Sequence, residues 1–212
     1  TMADTGIPAA IVTNYLIRHR VVCEKTDYYS FLLLNSIGTT KAKEGSLISG
    51  LLKFKQLYNT NAPLSVALPD LYAAFPEIYR GIGLKDHCHA IHRHFREHKL
   101  LDKMQAAFQG IPEQVMKPAD AYHEVVRRNV EYVELSDLRG RVPAVMIVPY
   151  PPGIPVMMGG EVMNETAEPV FAYLEARQNF ENAFPGYESD IHGVERIERD
   201  GKKYFSVLCL KK

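Results

Sequence analysis

Four prolines fall within seven residues, Pro149-Tyr150-Pro151-Pro152-Gly153-Ile154-Pro155. Proline lacks a backbone donor and clashes with the turn before it, so neither a helix nor an interior strand runs through this segment. The apolar run from Val142 to Val148 just ahead of it reads as a buried strand that is forced to stop. The chain must therefore be built from short elements on either side of a stiff loop.

On the C-terminal side, Asn164 to Asn182 has helical periodicity with Pro169 in its early turns. Residues Arg196 to Phe205 read as a hairpin turning at Asp200-Gly201, and Val207 to Leu210 closes it. On the N-terminal side, Val130 to Leu135 alternates like a half-buried strand. The middle is helical and punctuated. Segments Leu64–Phe75, Leu84–His98 and Pro118–Asn129 read as helices punctuated by Pro69, Pro76, Gly81, Gly83, Pro112 and Pro118. At the front, the spacing of Ile7, Ile11 and Tyr15, with Val12 and Leu16, predicts a helix, and Arg18, His19 and Arg20 suit its negative end. Two strands follow, Val21–Cys23 and Tyr28–Leu34, the second apolar enough to be buried on both faces. Gly38-Thr39-Thr40 then caps a helix over about Lys41–Tyr58, with Leu47, Leu51, Phe54 and Tyr58 on its apolar face.

Composition narrows the class. Hydrophobic residues make up 46% and charged residues 24% of 212, as in globular chains with a real core. Lys plus Arg and Asp plus Glu each number 25, giving a formal net charge of +0. That balance lacks the positive field of a nucleic-acid binder or a polybasic membrane anchor. No apolar run reaches the ~18–20 residues of a bilayer span, and no charged-then-apolar leader opens the sequence. A cytoplasmic chain without nucleic-acid or membrane partners is expected. The opening Thr1-Met2-Ala3-Asp4-Thr5 does not begin with Met and suits an excised or processed piece. Three scattered cysteines, Cys23, Cys88 and Cys209, are odd in number and read as reduced packing residues.

Several constellations could carry chemistry. His87, His89, His92, His94 and His98 are five of the eight histidines and fall within twelve residues. His94 and His98 lie one helical turn apart with His87 on the same stripe, a spacing that chelates transition metals. No carboxylate joins the stripe, and Lys85, Arg93, Arg96 and Lys99 lace it, so it reads as a solvated, partly cationic helix face with no metal site. Gly38-Thr39-Thr40-Lys41 could hold an anion at a helix start but lacks P-loop spacing; plain capping is the ordinary reading. Gly159-Gly160-Glu161 permits close backbone approach. Glu24, at a strand end, reads either as a solvated loop carboxylate or as a holder of a cation. No nucleophile elbow, C-x-x-C, H-E-x-x-H or dinucleotide fingerprint is present.

Six stretches follow one another in a recognisable order. They are Gly6-Ile7-Pro8-Ala9-Ala10-Ile11-Val12 with Tyr15-Leu16; Glu24-Lys25-Thr26; Phe31-Leu32-Leu33-Leu34-Asn35-Ser36-Ile37-Gly38; Ala67-Leu68-Pro69; Val148-Pro149-Tyr150-Pro151-Pro152-Gly153-Ile154-Pro155-Val156 with Gly160-Glu161; and Phe184-Pro185-Gly186-Tyr187-Glu188 with Asp190-Ile191-His192-Gly193. Together they resemble the bacterial ornithine/lysine/arginine decarboxylases, which are pyridoxal-phosphate enzymes of the aminotransferase-like fold. Met158-Gly159-Gly160-Glu161 departs from the Met-Pro-Gly-Glu or Ser-Gly-Glu form of that family.

The resemblance implies an α/β or α+β chain. Residues 1–62 would be the small domain of the aminotransferase-like core, and 63–212 the family's own mixed α/β C-terminal domain. It implies that the cofactor, pyridoxal phosphate, is bound mainly outside this chain, by a lysine that follows a histidine in a larger preceding domain. The only His-Lys pair here, His98-Lys99, lies in a charged helix, so no catalytic residue is expected in this piece, which alone should be inactive. The cofactor would supply an electron sink for loss of CO₂ from a basic amino acid, giving a diamine or agmatine and consuming a proton. Such enzymes serve acid stress or polyamine synthesis. Glu24 matches a glutamate that points into the substrate channel of ornithine- and lysine-type members and pairs with the terminal ammonium, which favours lysine or ornithine over arginine. Gly153-Ile154-Pro155 and Asn61-Ala62-Pro63-Leu64 look nearer the arginine type. Tyr150 and Glu161 would sit at the channel mouth, or else belong to a rigid packed turn. Family members form homodimers, often stacked into decamers. A free-standing, non-catalytic binding or assembly module derived from the decarboxylase is the alternative.

Overall fold

The computed structural model describes residues 6–212; the opening Thr1–Thr5 lies outside the described residues. Packing divides the chain into two units, residues 1–97 and 98–212. The sequence reading drew its family boundary at 62/63. By packing, the helices of 64–97 go with the first unit, because Leu64, Leu84, Cys88 and Ile91 are buried there.

In the first unit, α1 spans Ala9–Arg18 with Pro8 at its N-cap. A two-residue hairpin follows, β1 (Lys25–Thr26) and β2 (Phe31–Leu32), paired antiparallel. This corrects the expected strands. Val21–Cys23 is not a strand, and the Tyr28–Leu34 run is not buried on both faces: Leu32 is exposed and Leu34 is 72% exposed. Strand-forming composition is present, but only two residues on each side find a ladder partner among the described residues. The helix α2, Lys41–Asn59, begins at Thr40, whose hydroxyl accepts the Lys43 N–H at 3.4 Å. That is plain N-capping. Phe54 anchors its buried face.

The expected helix Leu64–Phe75 is broken into α3 (Leu64–Ala67) and α4 (Pro69–Ala74), with α5 (Pro76–Tyr79) after it. Pro69 and Pro76 cannot continue a ladder, and they push Leu68 and Phe75 to φ near −133° and −136°. The long helix α6, Leu84–Glu97, closes the unit. Asn61, in the left-handed region at φ 49°, caps it from outside the helix. Its Oδ1 accepts the N–H groups of Lys85 (2.9 Å) and Asp86 (3.2 Å), and its Nδ2 donates to Asp86 (2.7 Å). Gly83 is required beside it, since a Cβ there would lie 2.2 Å from Asn61 Oδ1.

The second unit opens with α7 (Leu100–Gln109), a helix absent from the sequence reading, and α8 (Pro118–Val126). Three strands form an antiparallel sheet in the order β3–β7–β6: β3 is Val130–Glu134, β6 Val194–Arg199 and β7 Lys202–Leu210. The β6–β7 turn places Asp200 and Gly201 at φ 51° and 70°, the positive values that a two-residue hairpin needs. The helix α9, Glu168–Ala183, packs on this sheet, and a 3-10 turn at Glu165–Ala167 leads into it. Ile147, Met163, Val170, Phe171, Leu174, Phe205 and Val207 fill the core. Each such side chain fully buried contributes about 1.5–3 kcal/mol. Most of the expected strand Val142–Val148 lies outside any named strand and makes only single bridges, Pro143 to Cys209 and Ile147 to Met157. The pairing strand is instead β4, Val148–Tyr150, joined antiparallel to β5, Asp190–His192. The fold is thus mixed α/β with small sheets.

Candidate functional site

Each expected site residue lies within one unit. Glu24 directly precedes β1. Its backbone N–H donates to Leu32 O at 2.9 Å, which fixes the main chain of the hairpin, and its side chain is exposed. The same hairpin is docked on α6. The Tyr29 hydroxyl is hydrogen-bonded to His92 Nδ1 at 2.6 Å, and Tyr28 and Tyr29 meet the Phe95 ring edge-on at 4.9 and 5.8 Å.

The other two residues belong to the second unit. Tyr150 ends β4 and is 46% exposed. Glu161 is a turn residue: its Oε2 accepts the Met158 N–H at 2.7 Å. The glycines beside it serve packing. A Cβ on Gly159 would lie 2.9 Å from Ala144 O, and one on Gly160, at φ 88°, would lie 2.3 Å from Met116 O. The Pro-rich segment thus leads into a closely packed turn.

The structure gathers around Tyr150 residues that sequence reasoning quoted only as a motif. Tyr150 is opposite Asp190 in the β4–β5 ladder, and Asp190 is hydrogen-bonded to His192 Nε2 at 3.0 Å. The loop leading to this ribbon is held by a buried carboxylate the sequence did not mark. Glu181 on α9 is 0% exposed. It accepts from Arg196 Nε (2.7 Å) and Nη2 (2.9 Å), and from the Ser189 N–H (3.1 Å) and hydroxyl (3.2 Å). Arg177 lies 3.7 Å away, and Arg196 also donates to Ser189 O. A fully buried carboxylate persists only with such pairing. The Glu181 hydrogen bonds raise the Arg196 guanidinium further above its usual value. Nearby, burial pushes the Glu188 carboxyl up, but hydrogen bonds from Lys203 and from two backbone N–H groups outweigh it and leave it below the ordinary range.

The histidine helix is not the solvated face expected. His87 and His92 are buried, and burial lowers His87 to about 4. The cause is the helical period: 84, 88, 91 and 95 form the apolar stripe, and 87 and 92 flank it. His89 is turned to the Tyr58 hydroxyl at 3.2 Å. Among the described residues no group of three His, Cys, Asp or Glu is placed to hold a metal ion. All three cysteines are free, and burial raises Cys88 and Cys209 to about 12, which suits packing rather than reactivity.

A covalently bound aldehyde cofactor needs a sequestered lysine and a carboxylate free to face its ring nitrogen. No described lysine is buried; Lys99 is exposed, at φ 51° before α7. The buried carboxylate Glu181 is committed to Arg196. These residues do not fit pyridoxal phosphate.

Comparison with known proteins places the whole chain. The model "Orn/Lys/Arg decarboxylase, C-terminal domain" matches residues 101–211, and "Orn/Lys/Arg decarboxylase, major domain" matches residues 1–43. A lysine decarboxylase of Pseudomonas aeruginosa is 42% identical over 210 residues, 99% of this chain and 28% of that protein. The biodegradative arginine decarboxylase of Escherichia coli is 35% identical over 210 residues, 99% of this chain and 27% of that protein. The solved structure of the E. coli constitutive lysine decarboxylase superposes with a TM-score of 0.90 at 39% identity, covering 98% of this chain and 29% of that one. The chain thus spans less than a third of the length of the relatives it matches.

Proposed function

The chain belongs to the Orn/Lys/Arg decarboxylase family, and from that premise we propose that it is the C-terminal portion of a basic amino-acid decarboxylase that acts on lysine. The observation that carries this reading is unbroken similarity along the chain, stronger to a lysine decarboxylase (42%) than to an arginine decarboxylase (35%). The parent enzyme uses pyridoxal phosphate, held by residues outside this chain, as the electron sink for loss of CO₂. The present residues contribute substrate selection and assembly surface, in a homodimer that stacks into decamers.

Selection is assigned to Glu24. Its carboxylate is displayed on a hairpin whose backbone is fixed by the Leu32 contact and whose outer end is held to α6 by Tyr29 and His92. A carboxylate so placed would pair with the terminal ammonium of the substrate, away from the reacting carbon. Tyr150 and Glu161 are assigned to the channel mouth. For Tyr150 the support is its exposure; for Glu161 it is only its place in the motif, since its carboxylate caps its own turn.

The test is a substrate panel on the intact enzyme, scored by CO₂ and diamine release. Lysine is expected to show the highest kcat/KM of lysine, ornithine and arginine; release from none of the three would remove the reading. In the same enzyme, Glu24→Gln is expected to raise KM for lysine by the worth of a charged hydrogen bond, about 1.5–3 kcal/mol or roughly tenfold to a hundredfold. An unchanged KM for both lysine and ornithine would take Glu24 out of the account.

A further inference from the structure

The first unit buries imidazoles where the proposed function has no use for them. His87 is 2% exposed and His92 is 5% exposed, both on α6. His87 meets the Tyr79 ring edge-on at 5.1 Å and stands in the first turn of α6. That end of a helix carries the positive pole of the backbone dipole, which opposes an imidazolium. His92 is one and a half turns along, bonded to Tyr29 of the hairpin. Gly6 closes over this contact, with a Cβ position only 2.7 Å from His92 Nδ1 and 2.8 Å from the Tyr29 ring. One helix therefore packs a protonatable ring against α5 at one end and ties down the β1–β2 hairpin further along.

We propose that α6 is an acid-responsive element: charging His87 loosens the helix and, through the Tyr29–His92 and Tyr28–Phe95 contacts, frees the β1–β2 hairpin, while the second unit stays closed. The titratable and charged groups around it are Tyr79 on α5, Tyr58 on α2, and Tyr28 and Tyr29 on the hairpin. On α6 itself, besides His87, they are Lys85, Asp86, Cys88, His89, His92, Arg93, His94, Arg96 and Glu97. Of these, Asp86 is engaged by Asn61, His89 by Tyr58, and the Arg96 charge reaches Tyr29.

The sign follows from burial. A histidine held neutral in the fold binds its proton less readily than in the unfolded chain. The stability it confers is full above about pH 6.5 and declines as the pH falls toward about 4. The second unit has no buried histidine among its described residues; His98, His123 and His192 are all exposed. It therefore serves as the internal reference.

Hydrogen–deuterium exchange on the intact natural-length protein, with labelling times scaled for intrinsic rate between pH 7.5 and 4.5, tests the proposal. Protection in peptides from α6 and the hairpin is expected to fall on the order of tenfold to a hundredfold, with α9 unchanged. His87→Gln, which cannot charge, is expected to abolish that fall. Flat α6 protection in the wild type, equal loss in α9, or the same fall in His87→Gln would each overturn the proposal. Where the glutamine variant proves insoluble, the wild-type profile decides by itself: selective loss supports the proposal, and flat or uniform behaviour refutes it.

Discussion

The two units solve one problem, a polar group inside a core, in opposite ways. The first keeps its buried group neutral: His87 packs among rings, and burial holds it uncharged down to about pH 4. The second surrounds its buried carboxyl with partners: Glu181 is clasped by Arg196, Arg177 and Ser189. A neutral ring costs little at pH 7 and becomes a liability in acid. An ion pair costs desolvation when it forms, and it punishes the loss of either partner. The difference separates a unit whose stability responds to mild acid from one whose stability depends on intact pairing.

The largest effect is expected in the second unit. Glu181→Leu takes away the buried carboxylate that Arg196 is paired with and should cost about 3–5 kcal/mol in urea unfolding. A cost below 1 kcal/mol would mean that the clasp is dispensable and the contrast between the units false. Next comes Gly160→Ala. Its Cβ would strike Met116 O and its φ is positive, so about 2–3 kcal/mol is expected from the same measurement. A neutral result would show that the turn around Glu161 can open. In the first unit, Asn61→Ala removes the external cap of α6 and should cost about 0.5–2 kcal/mol. The smallest effect is at the surface. Arg80→Ala breaks an exposed pair with Glu77 and should change stability by about 0–0.5 kcal/mol.

The units also differ in the acid window over which they weaken. Glu188 in the second unit titrates below its ordinary value once paired with Lys203. A depressed carboxylate gives stability that is present above its unfolded pKa and lost only as the pH falls through the folded one. Its window thus begins near pH 4.5, well below the onset of the His87 window near 6.5. Lys203→Ala should therefore be less stable than the parent above about pH 4.5, and the two should converge in circular dichroism as the pH falls below it.

What the residues disclosed depended on how local the cause was. The spacing of Leu47, Leu51, Phe54 and Tyr58 gave α2, and Thr40 its start, because a helix is a matter of near neighbours. Asp200-Gly201 gave the closing hairpin for the same reason. Pro69 also announced itself, yet it was read as punctuation inside a helix and not as its end. The missing pieces were long-range. Only Val148 of β4 was expected in a strand, and Pro149 and Tyr150 were assigned to the stiff loop, because their partner, Asp190–His192, lies some forty residues on, beyond α9. Nothing in the string around Glu181 marks it as buried; only the approach of Arg196 from β6 does. The histidine helix was misjudged because its lysines and arginines were allowed to speak for the whole helix. The positions 84, 88, 91 and 95 would have shown that 87 and 92 turn inward. The roles expected of Glu24, Tyr150 and Glu161 came from resemblance, and the three fall in elements that have no common local signal.

The most direct test of the account is CO₂ release with pyridoxal phosphate, measured side by side on the 212-residue chain and on the intact protein. The intact protein should decarboxylate lysine, and this chain, which buries no lysine among its described residues, should show neither the cofactor's absorbance nor any gas. Carbon dioxide from the short chain alone, or none from the intact protein, would contradict it.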